Sequence, residues 1–101
     1  MINVIVSYTV PESFVEKNLA NISAFLKDFE KLDSSKFQYR ILQKKGDHSF
    51  VHISKYADEK IQQELLNVPS FLNFLKQRDE SCEDIQQKIE VFDFIGETGN
   101  F

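Results

Sequence analysis

Tryptophan is absent from the chain, cysteine and methionine occur once each, proline twice and glycine three times. The lone Cys82 permits no internal disulfide, which suits a reducing compartment and leaves stability to packing. Its neighbours Glu80, Glu83 and Asp84 are acidic and offer no cation to stabilise a thiolate, so a reactive thiolate is not expected. Gly46, Gly96 and Gly99 are too scattered to build a phosphate-cradling loop. Basic residues are in deficit, 12 Lys and Arg against 16 Asp and Glu, and no cationic stripe is available for a phosphate backbone. Nucleic acid is therefore not an expected partner. No apolar run approaches the roughly 20 residues that cross a bilayer, so no membrane association is expected. The segment Ile2–Val10 lacks a basic leader and a small-residue cleavage site and reads as a strand, not a signal peptide. A cytoplasmic location is the expectation. The two histidines and one cysteine show no metal-ligand spacing, so neither metal nor cofactor is expected.

Phenylalanine is plentiful: ten residues of 101. Phe supplies large apolar area with no polar atom to satisfy, so this number speaks first for core and interface. The length corresponds to one domain over residues 1–101, with 96–101 a tail. One core of this size is adequate but small, and burial in an oligomer would help it.

The chain alternates between two periodicities. Ile2, Val4, Val6, Tyr8 and Val10 share one face of an extended segment, with Asn3, Ile5, Ser7 and Thr9 on the other. Pro11 ends it. Two helix starts are open: Pro11 at the first helical position, or Ser13 as cap answered by Glu16. Val15, Leu19, Ile22, Leu26 and Phe29 follow at helical spacing, widened by Phe25 and Leu32. Leu32-Asp33-Ser34-Ser35 stops the helix. Phe37, Tyr39 and Ile41 open a second strand, and Lys45-Gly46-Asp47-His48 turns it into a third, Phe50–Tyr56. Asp58 is a good N-cap for a helix carrying Ile61, Leu65 and Leu66. Val68-Pro69-Ser70 breaks that helix and starts a further apolar turn with Phe71, Leu72, Phe74 and Leu75, which fades through Gln77–Ser81. A polar irregular stretch leads to a last strand with Ile89, Val91, Phe92, Phe94 and Ile95.

Strand, helix, strand, strand, helix, strand is the split βαβ plan of a ferredoxin-like α+β fold: a four-stranded antiparallel sheet with its helices on one face. Both faces of every strand carry apolar residues. A large bare apolar face invites association, so a second copy packed sheet to sheet is expected, giving a homodimer.

The segment Phe50-Val51-His52-Ile53-Ser54-Lys55-Tyr56, followed by a helix and then by Pro69-Ser70-Phe71, resembles the dimeric α/β-barrel superfamily, and within it the antibiotic-biosynthesis monooxygenase-like proteins. The resemblance covers nearly the whole chain in element order and length. Those proteins often carry Glu and Trp late in the third strand, where this chain has Ser54 and Tyr56. Many carry an H-x-x-S-x-H pattern in the second helical region, where this chain has Leu65, Val68 and Ser70. The haem-ligand role of the relatives thus has no carrier here. The resemblance implies a cavity between sheet and helices, and a cofactor-free oxygenase acting on small aromatic or polyketide-like molecules.

His52 is the sharpest candidate, because a His titrates near neutral pH and this one shares a strand face with Phe50, Ser54 and Tyr56. In the resembled family that face looks toward the cavity. His52 is expected as proton-transfer group and Tyr56 as positioner, with Phe50, Ser54, Phe71 and Phe74 as substrate contacts. The structural alternative is a core histidine hydrogen-bonded to a neighbour, phenylalanines that fill the core, and a tyrosine that buries its ring. Ser54 has no base beside it in sequence, Tyr8 and Tyr39 are weaker pocket candidates, and Arg40 reads as solvent-facing. Two function classes follow: the oxygenase-like enzyme, or a non-catalytic ligand-binding or structural dimer.

Overall fold

The computed structural model describes residues 1–100. It contains β1 (Ile2–Thr9), a single 3-10 turn (Glu12–Phe14), α1 (Val15–Phe29), β2 (Phe37–Gln43), β3 (Ser49–Tyr56), α2 (Glu59–Leu66), α3 (Pro69–Glu80) and β4 (Gln87–Phe92). The strands form one antiparallel sheet in the order β2-β3-β1-β4. This is the ferredoxin-like plan read from the sequence. Among the described residues no helix is long and apolar enough to cross a membrane.

Strand register sorts the residues. Val6 pairs with His52, Val4 with Ser54 and Ile2 with Tyr56, while on the far side of β3 Ile41 pairs with His52 and Tyr39 with Ser54. Directly paired residues point to the same side of a sheet, so these form the helix-facing surface. The core lies between it and the helices, from Tyr8, Val10, Phe50 and Tyr56 below to Ile22, Phe25, Phe29, Ile61, Leu65, Phe71 and Phe74 above. Phe25, 0% exposed, is its hub. Its ring centroid lies 5.0 Å from those of Phe29 and Phe74, and 5.1 Å from that of Phe71. Edge and tilted aromatic pairs at such distances add to the gain from area burial.

Local chemistry explains the element ends. Asp58 accepts a hydrogen bond from the Ile61 amide at 3.0 Å, the expected N-cap of α2. Pro69 occupies the start of α3, where its missing N–H costs nothing. Ser70 Oγ donates to Asp28 Oδ2 at 2.6 Å, tying that start to α1. Gly46 takes φ 73° in the β2–β3 turn, a left-handed backbone that suits glycine.

Three expectations need correction. Neither helix start forms as anticipated. Pro11 caps the 3-10 turn from outside it, and no side chain caps that turn or α1, so the Ser13–Glu16 box is not made. The buried stripe of α1 is rotated: Asn18, Asn21, Ile22, Phe25 and Phe29 face inward while Leu19 is 42% exposed. Two asparagines have partners inside, Asn18 on Tyr8 and Asn21 on Gln77. A buried polar group so paired competes with leucine for the inner face. Finally, β4 runs earlier than expected and ends at Phe92, leaving Phe94 and Ile95 beyond it and exposed. Of the tail read at 96–101, residues 96–100 carry no regular structure and Phe101 lies outside the described residues.

Candidate functional site

A cavity of about 370 Å³ opens between the sheet and α2–α3. Its floor is Val4, Val6, Tyr39, His52, Ser54 and Tyr56, and its roof is Gln62, Leu66, Phe71, Phe74, Leu75 and Arg78. Ile89 of the edge strand β4 completes the wall and is 59% exposed, which puts the mouth on that side. The volume lies in the range of small-molecule sites. A larger groove, about 620 Å³, is open to solvent and lacks a comparable set of buried polar groups.

Five of the six expected site residues meet around the 370 Å³ cavity: His52, Ser54, Tyr56, Phe71 and Phe74. Phe50 does not reach it. Phe50 is buried instead beside the 620 Å³ groove, stacked on Tyr8 with ring centroids 5.6 Å apart.

Both ring nitrogens of His52 have partners inside the protein. Nε2 lies 2.9 Å from Tyr8 Oη, and Nδ1 lies 2.7 Å from Tyr39 Oη. The ring stacks on Phe74 at 5.4 Å. Burial, helped by the nearby Arg78 cation, lowers the His52 pKa from 6.5 to about 3, so the imidazole is neutral at physiological pH. Burial raises the Tyr8 phenol to about 12 and pushes Tyr39 and Tyr56 up as well, so all three stay protonated. At neutral pH the cavity thus presents neutral oxygen and nitrogen groups together with the Arg78–Asp79 ion pair.

Sequence reasoning passed over Arg78. It is 3% exposed, and its guanidinium lies 5.2 Å from the Tyr8 ring centroid and 5.8 Å from that of Phe74. Nε and Nη2 donate to Asp79 Oδ1 at 3.1 and 2.9 Å. Asp79 is largely exposed, so the buried cation is only partly neutralised from the rim. The signal was present. Phe71, Phe74 and Arg78 stand at i, i+3 and i+7, so the arginine falls on the buried stripe of α3. Tyr8 was legible in the same way, sharing its face with Val4 and Val6. Arg40 is exposed, as expected. Cys82 is exposed and free.

The arrangement is that of a ferredoxin-like protein with a cavity between sheet and helices, the fold of the antibiotic biosynthesis monooxygenase-like proteins. No protein-family model and no curated protein matches the sequence. Solved structures do match the fold. An antibiotic biosynthesis monooxygenase superposes with a TM-score of 0.78 at 12% identity, covering 95% of this chain and 100% of that one. Rv0793 from Mycobacterium tuberculosis gives 0.78 at 16% identity, covering 97% and 98%. SnoaB from Streptomyces nogalater, a cofactor-independent oxygenase, gives 0.73 at 15% identity, covering 98% and 97%. At these identities the likeness is one of fold, and chemistry has to be argued from the side chains.

Proposed function

We propose that this protein binds a small planar aromatic or polyketide-like molecule in the 370 Å³ cavity and acts on it as a cofactor-free oxygenase, working as a homodimer. The observation that carries the reading is the convergence of Tyr39, His52, Ser54, Tyr56 and Arg78 on one otherwise apolar space. A planar ring system suits walls of Phe71 and Phe74, and the polar floor would fix its orientation. The fold shared with SnoaB supports the oxygenase part. In such chemistry the substrate supplies the electrons to oxygen, and the protein positions it and manages protons. His52 and Tyr56 remain the proposed site pair, His52 acting through the Tyr39 hydroxyl that stands between its Nδ1 and the ligand. Pairing of two copies is supported by the aliphatic residues Ile5, Leu42, Val51 and Ile53 on the sheet face away from the helices.

A second reading has its own observation. Both His52 nitrogens are engaged by tyrosines, as in a structural core histidine, which favours a binding protein without turnover.

A thermal-shift screen of an aromatic and polyketide-like library separates these readings, followed by oxygen-electrode assays of the hits with a chelator present. Hits that raise Tm, lose their effect in His52→Gln and drive oxygen uptake support the oxygenase. Hits without oxygen uptake select the binding protein. A library that shifts nothing would refute the cavity as a site.

A further inference from the structure

Asn18 is 0% exposed on α1 and uses half of its amide. Nδ2 donates to Tyr8 Oη at 3.0 Å, while Oδ1 is buried without a partner. This contact sets the direction of the hydrogen bonds beyond it. With Nδ2–H on one of its lone pairs, the Tyr8 hydroxyl gives its own proton to the His52 Nε2, 2.9 Å away. A neutral imidazole has one proton, which then sits on Nδ1 and is donated to Tyr39 Oη at 2.7 Å. The Tyr39 hydroxyl proton is left over. It has no acceptor among the described residues, and Tyr39 lines the cavity.

The reverse wiring needs the Asn18 amide turned end for end. Tyr8 would then donate to Asn18 Oδ1, accept from Nε2–H, and leave Nδ1 to accept from Tyr39. That order leaves both Asn18 N–H groups unpaired, where the first leaves one N–H and the carbonyl oxygen, and buried orphan N–H groups are the rarer kind. A mixed order, with both Asn18 and His52 donating to Tyr8, leaves the Tyr8 proton with no acceptor. Because the leftover Tyr39 proton faces the cavity, the first wiring leaves no orphan sealed in the core beyond the Asn18 amide, and one orphan N–H fewer there than the reverse order.

We propose that Tyr39 is a fixed hydrogen-bond donor to the cavity, oriented by the chain Asn18–Tyr8–His52, and that it selects ligands carrying a ring-conjugated carbonyl or enolate oxygen. This rests on the cavity being a ligand site. Arg78, on the roof of the same cavity, favours a partial or full negative charge on that oxygen. The chain ends at an amide, which is no proton source, so Tyr39 gives a hydrogen bond and keeps its proton. His52 is then a positioning residue for Tyr39, and the group that touches the ligand is one that the sequence ranked low.

Two measurements test this. In the free protein, long-range ¹⁵N–¹H spectra of labelled histidine, with His48→Gln for assignment, report the His52 tautomer; a proton on Nδ1 is expected, and an Nε2–H tautomer would overturn the wiring. In binding assays tetralone is expected to bind about tenfold more tightly than tetralin, its counterpart without the oxygen, as one good hydrogen bond allows. Tyr39→Phe should abolish that preference. Equal affinities in wild type, or a preference that survives Tyr39→Phe, would refute the donor role. If neither compound binds, the cavity reading fails and the ligand class with it, while the tautomer still decides the wiring.

Discussion

Successive residues of β3 live in different surroundings. Phe50, His52, Ser54 and Tyr56 are buried against the helices, while Ser49, Val51, Ile53 and Lys55 on the other face are only half covered. The inner face is aromatic and internally bonded, with stacked rings and hydroxyls paired to imidazole nitrogens. The outer face is aliphatic and charged, and its cross-strand row runs Arg40, Ile53, Ile5, Glu90. The inner face is packed and bonded within the protomer, while the outer face has only surface pairs such as Lys88–Glu90 and Thr9–Ser49. Substitutions on the inner face should therefore act on folding and on the cavity, whatever the protein concentration. Those on the outer face should act on association and vanish on dilution.

The largest effect expected from this contrast is at Phe25. Its ring touches both the sheet side and the α3 side of the core, with Tyr39 at 5.7 Å and Phe74 at 5.0 Å between centroids. Phe25→Ala removes that contact and leaves a void, and should lower unfolding free energy by about 3–5 kcal/mol. Urea unfolding at two protein concentrations checks this. The loss should be the same at both, and a loss seen only in dilute protein would move Phe25 out of the core argument.

Next is a pH effect confined to the inner face. The folded protein holds His52 neutral down to about 3, whereas an unfolded histidine takes its proton near 6.5. Between those values the unfolded state binds more protons, so stability falls as pH falls. The contribution is fully present above 6.5 and is lost progressively toward 3. The slope is at most about 1.4 kcal/mol per pH unit, and a few kcal/mol over the whole window. Asp28 and Asp33 also titrate low, through hydrogen bonds from Ser70 and Ser35, but they matter only at and below the ordinary carboxylate range. The difference between wild type and His52→Gln isolates the histidine. Curves that stay parallel from pH 6.5 to 4 would show that His52 is protonated alike in both states.

The two faces also differ in how readable they were. Period-two alternation showed the strand faces, because β-branched and aromatic residues repeat cleanly in β1, β2 and β3. The fold followed from element order. The Val68-Pro69-Ser70 break and the Asp58 cap were legible because proline and aspartate act through local chemistry. What was not legible is polar and long-range. Asn18 and Arg78 belong to buried stripes by spacing, yet hydrophobicity reads them as surface. Both meet Tyr8 on another element, Asn18 by a hydrogen bond and Arg78 over its ring. Leu19 shows the converse, an apolar residue displaced outward by a paired asparagine. His52 could be placed on its face from sequence, but the pairing of both its nitrogens depends on the β1–β3 and β2–β3 registers, which no local pattern encodes.

The smallest expected effect lies on the outer face and bears on how two copies would meet. Arg40 pairs across the sheet with Ile53, Ile53 with Ile5, and Ile5 with Glu90, so opposite charges stand at opposite edges of one row. If two sheets pack face to face about a two-fold axis running along the strands, strand order is reversed between them. The Arg40 end of one row then faces the Glu90 end of the other, and the two isoleucines meet at the centre. Both charged residues sit at the rim, where such pairs contribute up to about 1 kcal/mol each, screened by salt. Glu90→Arg should weaken self-association severalfold in sedimentation equilibrium at low salt, less at high salt, and leave the unfolding of dilute protomer unchanged. Adding Arg40→Glu should restore it, since the reversed row is again complementary. Ile53→Asp, at the centre, should abolish association outright. If Glu90→Arg and the double variant weaken association equally, the copies meet in another orientation. If wild type is monomeric at micromolar concentration, the aliphatic row is solvent-facing and the dimer proposal fails with it.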